Sequence, residues 1–594
     1  MSEKISNKSA LGYCWKEKYF DQRLALTIQQ RFEIPHYLAQ ILSSRNIDLL
    51  DVENFLNPTI KASLPNPFDL LDMDKAVDYV ISAINNKKKI TIFADYDVDG
   101  ATASAILKLF FKDLDVDVDI YVPDRISEGY GPNISALLNI KNNGTDLVIT
   151  VDCGTVAFAA LEEAAKNNLD VIVIDHHIGV TEKPKAIAVV NPNRIDDNFE
   201  HKNICAATVC FLFAVAINKR LKDDGFYANK KQPNLLNYLD LVALGTVCDV
   251  MPLLGLNRAL VSQGLKIIKK RSNKGIKAIC DAANINEEIN SYHLGYIIGP
   301  RINAGGRVGK SNLGANILST NDDNLASQIA TNLNLLNDQR KDVEKIVLEQ
   351  SIDNLEKAYN GFSCKDDIIF AVGNSWHHGV IGIVASRLKD LYNRPVAVIT
   401  LENKKGKASC RSIAGIDFGN AILQARINGL LIEGGGHAMA GGFSVDEKLI
   451  KNLHIFFNEN LSSKVQLITS NSTKEFDIII DIENINHELI TNLEALQPFG
   501  VGNRKPKFMI RNSRVLNSKI IGKNQEHVSC NLASLSNIGF SSAIPAVAFN
   551  SINNSLGTYL MESKGRVLNI IGDISINNWM GIKKLQIIIE DIQL

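Results

Sequence analysis

Four short segments of this chain carry side chains able to do metal chemistry. In the first, Asp95, Asp97 and Asp99 alternate along six residues that close on Gly100. Three carboxylates so close together repel strongly unless a cation neutralises them. The second segment is Val151-Asp152-Cys153-Gly154, the third Ile174-Asp175-His176-His177, and the fourth Cys248-Asp249-Val250-Met251-Pro252. Carboxylate oxygens combined with imidazole nitrogen suit manganese or magnesium better than zinc, which favours thiolates. So many carboxylates can hold two ions. A pair about 3.5–4 Å apart can clamp a phosphate, activate water and stabilise a leaving oxygen. The Asp95–Gly100 spacing also fits the start of a calcium loop, but Ile106 stands where such a loop requires its bidentate Glu.

The elements around these segments must place them together. Apolar runs at Ile90–Ala94, Val116–Val122, Leu147–Val151 and Val171–Ile174 read as strands. Helical spacing at 75–86, Ala101–Lys112, Ala157–Asn167 and Tyr238–Val247 separates or follows them. Continuous apolar strands alternating with helices predict a parallel sheet covered on both faces. Three of the four segments lie at strand ends, and the ends on one side of a parallel sheet form its ligand crevice. The fourth follows a helix.

The fold class read from the sequence is therefore α/β. Residues 1–74 are expected to form a helical and loop-rich segment, and 75–322 the parallel-sheet domain. A long connecting helix is expected over 323–361, because the run is polar and lacks Pro. Strand runs Ile368–Val372 and Pro395–Thr400 around a helix at Val380–Tyr392 predict a second, smaller α/β domain over 362–465. Segments at Phe476–Ile482, Phe508–Ile510, Ala546–Phe549 and Leu585–Ile589 predict a β-rich domain over 470–594.

Composition narrows the function classes. The 594 residues are enough for about three to five domains. Apolar residues make up 45% and charged residues 22%, which fits an ordinary soluble protein. No apolar run is long enough for a bilayer, and the first twenty residues lack the apolar core of a signal peptide, so a cytoplasmic location is expected. The nine cysteines form no CxxC pair, which argues against a zinc site or a disulfide framework. The net charge of −1 argues against a general duplex coater, yet leaves room for a local basic channel.

The motifs together resemble the DHH phosphoesterase superfamily, and within it the RecJ family of single-stranded-DNA-specific exonucleases. The resemblance rests on Asp95–Gly100, Asp152-Cys153-Gly154, Asp175-His176-His177, ALGTVCDVMPL (243–253) and GPRINAGGRVG (299–309). It continues through WHHGVIGIVASRL (376–388), SCRSIAGIDF (409–418), GGGHAMAGGF (434–443), LQPFGVGN (496–503) and the terminal Trp579-Met580-Gly581. The chain departs from the family pattern at Ala94, His378 and Ala414 without losing a ligand position. The resemblance implies that Asp97, Asp99, Asp152, His176 and Asp249 bind two manganese or magnesium ions, with Asp95 and His177 close by. Asp175 would orient the ligands, as metal-bound imidazoles usually require. Arg125, Arg301, Asn303, Arg307, Ser409, Arg411, Gly435, Gly436 and His437 would grip the substrate. The β-rich domain would be an OB-fold, with Phe499, Phe508 and Phe549 as candidate base platforms.

The activity so implied is 5′→3′ degradation of single-stranded DNA to 5′-mononucleotides in DNA repair and recombination. Single-strand-binding protein and a helicase would be partners. Two other readings compete. A phosphoesterase of short oligonucleotides or cyclic dinucleotides would not need the third domain. A non-catalytic scaffold would be expected to have eroded ligands, and none is eroded here.

Overall fold

A computed structural model describes residues 9–124, 128–129, 131–358, 366–470, 472–535, 543–579 and 582–593. Its first sheet has five parallel strands in the order Val118–Tyr121, Ile90–Ala94, Leu147–Val151, Asp170–Ile174 and Ala188–Val190. Every residue of Ile90–Ala94 and Leu147–Val151 is buried, because helices cover both faces. One face packs on the helices Val98–Asp113, Ala206–Asp223 and Leu239–Cys248. The other packs on Ile134–Asn142 and Phe158–Lys166.

The helix Asp323–Ala358 runs for 36 residues from the first sheet's helices to the second sheet. At about 1.5 Å per residue it spans about 54 Å. The second sheet is ordered Glu433–His437, Ala440–Asp446, Lys405–Arg411, Val396–Glu402, Ile369–Asn374. Only its last pair is parallel. The run of three glycines, which by composition reads as a flexible loop, is therefore an edge strand. Its order comes from pairing with Ala440–Asp446 rather than from intrinsic β preference.

The third body is a six-stranded sheet of residues 478–593 with the helix Ser555–Glu562. Its core includes residues from the start of the chain. Ala25, Ile28, Ile41 and Leu42 share one buried cluster with Ile510, Val528 and Ile570. Cys14–Glu17 also pairs in parallel with Thr473–Phe476.

Arg258 ties these bodies together. It is 1% exposed and projects from the helix Gly255–Ile268. Its guanidinium donates to the carbonyls of Phe55 at 2.7 Å, Leu496 at 3.1 Å and Gln497 at 2.7 Å. It also lies over the Phe55 ring, 3.8 Å from the centroid. Burial pulls its pKa down to about 9. One cation thus satisfies carbonyls from the N-terminal segment and from the 495–498 loop. Arg258→Ala should destabilise the fold by about 3 kcal/mol or more, because buried carbonyls lose a charged donor. Denaturant unfolding should show a second transition as the C-terminal body releases.

A second stability prediction concerns Asp240, buried near the start of the Leu239–Cys248 helix. Burial pushes its carboxyl up to about 7, although the amide of Leu241 donates to it at 2.7 Å. Its folded pKa thus lies above the ordinary value of about 3.9. The proton is bound more tightly in the folded state, so stability is lost as pH rises from about 4 to 7. Asp240→Asn should gain stability relative to the parent at pH 8 and much less at pH 4, read from urea midpoints.

Candidate metal centre and substrate cleft

Backbone hydrogen bonds step sideways across the carboxyl ends of the first sheet. The amide of Asp95 donates to Val151 O at 3.4 Å, that of Asp152 to Ile174 O at 3.0 Å, and that of Asp175 to Val190 O at 3.1 Å. Each strand therefore delivers its first polar residue to one row. Asp97 caps the Val98–Asp113 helix, accepting from the amides of Asp99 and Gly100 at 2.8 and 3.1 Å. The chain turns so tightly there that a Cβ on Gly100 would lie 2.4 Å from Asp95 O. Asp99 is held from the opposite side. The first amides of the Ala206–Asp223 helix, Ala206 and Ala207, donate to its two oxygens at 2.6 and 2.9 Å, where the helix dipole favours negative charge.

His176 sits among three of the carboxylates. Its Nε2 is 3.3 Å from Asp152 Oδ1, 3.6 Å from Asp249 Oδ2 and 3.8 Å from Asp99 Oδ2. Three overlapping groups have ligand atoms within 4.8 Å of one another: Asp95, Asp97 and Asp152; Asp99, His176 and Asp249; and Asp152, His176 and His177. Asp152 belongs to two of them, as a bridging ligand would. Two residues here adopt left-handed backbone, Asp152 at φ 61° and Val250 at φ 61°. For the β-branched Val250, beside Asp249, this costs about 1–3 kcal/mol.

The electrostatics follow from crowding and burial. Burial, reinforced by the charges of Asp97, Asp99 and Asp95, pushes Asp152 well above the carboxylate range. Burial also raises Asp99, against the opposing effect of His176. Asp249 is raised to about 8, by burial first and then by Asp99 and Asp97. Its buried Oδ2 accepts no hydrogen bond among the described residues. Asp175 goes the other way. Burial works to raise it, but donors outweigh that and hold the carboxyl below the usual range. These donors are His177 Nδ1 at 2.7 Å and the amides of His176 and Thr155 at 2.7 and 3.0 Å. For His177, burial works to lower the ring's pKa, yet its bond to Asp175 raises it to about 9. The oxygen-rich donor set, the unsatisfied Asp249 oxygen and the raised carboxylates fit divalent cations of the manganese or magnesium kind.

Three of the remaining residues named from sequence fall around a second feature. A cleft of about 600 Å³ runs between the helix Gly299–Val308, the long helix and the helix His378–Tyr392. Arg301, Asn303 and Arg307 line it. Arg301 donates to Asn334 Oδ1 at 3.0 Å and to Ile297 O at 2.8 Å. Arg307 donates to Gly379 O at 2.8 Å, which links the first body to the second. One turn of the same helix packs on the metal loop, since a Cβ on Gly306 would lie 3.2 Å from Tyr96 O. Six cationic side chains line the cleft with one carboxylate, Glu344, while Asp338 and Glu349 at its margin pair with Lys341 and Lys345, although the whole chain carries −1.

Ser409 and Arg411 occupy alternate positions on one face of the second sheet. Across it, Ser409 pairs with Gly442 and Gly442 with Gly435, while Arg411 pairs with Ala440 and Ala440 with His437. A Cβ on Gly435 would meet nothing within 4 Å, so bare backbone lies open on the edge strand, across Gly442 from Ser409. His437 is exposed at the end of this hairpin. Gly436 packs on Gly441, its ideal Cβ lying 2.4 Å from Gly441 Cα. Arg125 and the pair Met580-Gly581 lie outside the described residues. Of the three Phe candidates, Phe508 is buried in the core, Phe499 packs partly against it, and Phe549 is 54% exposed against the His527 ring. Phe508 thus takes the core role that is the commoner one for a lone Phe, because its position on the Phe508–Ile521 strand faces inward.

Sequence reasoning missed the clamp behind the histidines. Asn191 and Asn193 follow the short strand Ala188–Val190. Asn191 Nδ2 donates to His177 O and to Thr155 Oγ1, each at 2.8 Å. Asn193 Nδ2 donates to His176 O at 2.5 Å. The usable signal was an Asn-Pro-Asn run placed, like the other motifs, at the end of an apolar strand.

The sheet and its row of carboxylates are those of the DHH family. The profile of the DHH family, N-terminal domain, matches residues 89–246. The DHHA1 domain matches 365–463 and the RecJ OB domain 476–591. The single-stranded-DNA-specific exonuclease RecJ of Bacillus subtilis is 30% identical over 97% of this chain and 70% of its own length. The RecJ of Haemophilus influenzae is 32% identical over 91% of this chain and 93% of its own. The crystal structure of RecJ in complex with Mn2+ from Thermus thermophilus superposes with a TM-score of 0.77 at 26% identity, covering 98% of this chain and 79% of that one. The chain belongs to the RecJ family of single-stranded-DNA-specific exonucleases.

Asn191→Ala should leave the fold intact and weaken manganese affinity about 10–100-fold, as loss of outer-shell support does. Calorimetric titration with manganese checks this, and unchanged affinity would remove the clamp role.

Proposed function

We propose that this protein is a metal-dependent exonuclease that degrades single-stranded DNA from its 5′ end to 5′-mononucleotides, in DNA repair and recombination. The observation that carries the reading is the crowding of Asp97, Asp99, Asp152, His176 and Asp249 at one sheet edge, next to a basic cleft. These five residues would hold two divalent cations, manganese or magnesium, with Asp95 and His177 adjacent. Such cations supply an activated water and neutralise charge on the scissile phosphate. Asp175 would hold the His177 ring in one orientation through its bond to Nδ1. No Ser or Cys nucleophile is required.

The cleft cations Arg301 and Arg307, with Asn303, hold the strand backbone beside the metal loop. Ser409, Arg411, Gly435, Gly436 and His437 form the grip for a terminal phosphate, with Arg125 assigned to the same role. Arg suits this because its guanidinium binds phosphate in a bidentate manner. The open backbone at Gly435 allows close approach. Single-strand-binding protein and a helicase are the proposed partners, and the cytoplasm the proposed location. Among the described residues, no helix is long and apolar enough to cross a membrane.

Asp152→Ala should abolish cleavage of a 5′-labelled single strand in manganese while retaining most of the strand affinity. Early release of labelled mononucleotide by the parent, from the single strand and not from blunt duplex, is the expected pattern. Normal turnover by the variant would overturn the two-cation assignment. Preference for very short oligomers would overturn the long-strand reading.

A further inference from the structure

The basic cleft ends, away from the metal loop, on a pair of exposed aromatic rings. Tyr292 and Tyr296 are 59% and 73% exposed. Their ring centroids are 5.1 Å apart and their planes differ by 25°. Tyr296 lines the cleft beside Pro300 and Arg301. Side by side, the two rings form one exposed aromatic face at the cleft's end.

The turn that carries the rings is also held in place. Asn290 Oδ1 accepts from the amides of Tyr292 and His293 at 3.0 and 3.3 Å, capping the turn. Ser291 Oγ donates to Phe499 O of the LQPFGVGN motif. His293, buried between the two tyrosines in sequence, bonds Glu287 Oε1 through Nε2 at 2.8 Å. A π-helical turn at Leu294–Ile298 then leads into the Arg301 helix; such turns are frequent at functional sites.

We propose that Tyr292 and Tyr296 form a stacking platform for unpaired nucleobases of the strand held in the cleft. The proposal rests on the single-strand reading above. Cations along the cleft engage phosphates, and phosphates alone carry no contact to the bases. Aromatic faces at the cleft's end supply that second contact, and they accept any base because each has a π-face. About ten residues separate Tyr296 from Gly306, hence about 15 Å along the helix. The platform therefore meets bases a few nucleotides from the metal loop. Duplex presents its bases already stacked and paired, so it gains nothing here.

The test uses the full chain carrying Asp152→Ala, with manganese, and fluorescence anisotropy. One probe is a labelled oligothymidylate; the other is an abasic strand of the same length and charge. The Tyr292→Ala/Tyr296→Ala chain should bind oligothymidylate about ten-fold more weakly. It should bind the abasic strand unchanged and keep the same salt dependence. Tyr292→Phe/Tyr296→Phe should restore base-dependent binding, since the ring and not the hydroxyl acts. Unchanged affinity for oligothymidylate, or equal losses for both strands, would overturn the platform. A parent chain that binds neither strand would overturn the single-strand reading itself, and the platform with it.

Discussion

Like charge at close range is the constraint around which this molecule is built. Asp95, Asp97, Asp99, Asp152 and Asp249 converge where water is scarce, and burial with mutual repulsion raises the pKa of Asp99, Asp152 and Asp249. The fold holds them there by rigid means. Strand ends fix Asp95 and Asp152, a helix N-terminus grips Asp99, and side-chain amides fix the backbone of both histidines. Divalent cations held there would reverse the sign of the interaction, turning the repelling groups into a cage.

The second requirement is a path for the substrate, and here the domains matter more than their separate folds. The net charge is near zero, yet the cleft gathers six cations against one carboxylate. Arg307 spans the gap to Gly379, and Arg258 ties the first body to both ends of the chain. A basic channel can thus exist in a nearly neutral protein, because the field depends on placement rather than on the sum.

Much of the first domain was legible in the sequence. The strands Ile90–Ala94 and Leu147–Val151 fall where the apolar runs put them, because fully buried parallel strands are written as continuous apolar residues between turn formers. The chemistry-bearing segments were legible for the same reason, three being polar and abrupt at a strand end and the fourth, at Asp249, closing a helix. Less was legible elsewhere. Asn191 and Asn193 act through backbone carbonyls distant in sequence, and no spacing rule announces such a bond. Gly434–His437 is a strand only because its partner strand makes it one. The sharing of one core by residues near 28 and near 570 is a contact between the chain's two ends, invisible to any local window.

The 36-residue helix between the bodies has a mechanical consequence. Its first half packs on the first body and its second half on the other. The walls of the cleft cannot swing apart like a clamshell without bending this rod or breaking the Arg307–Gly379 bond. Opening the cleft therefore carries a cost that two bodies joined by a loop would not impose. Any selection by width would, unlike attraction by charge, persist as salt screens the charges along the walls.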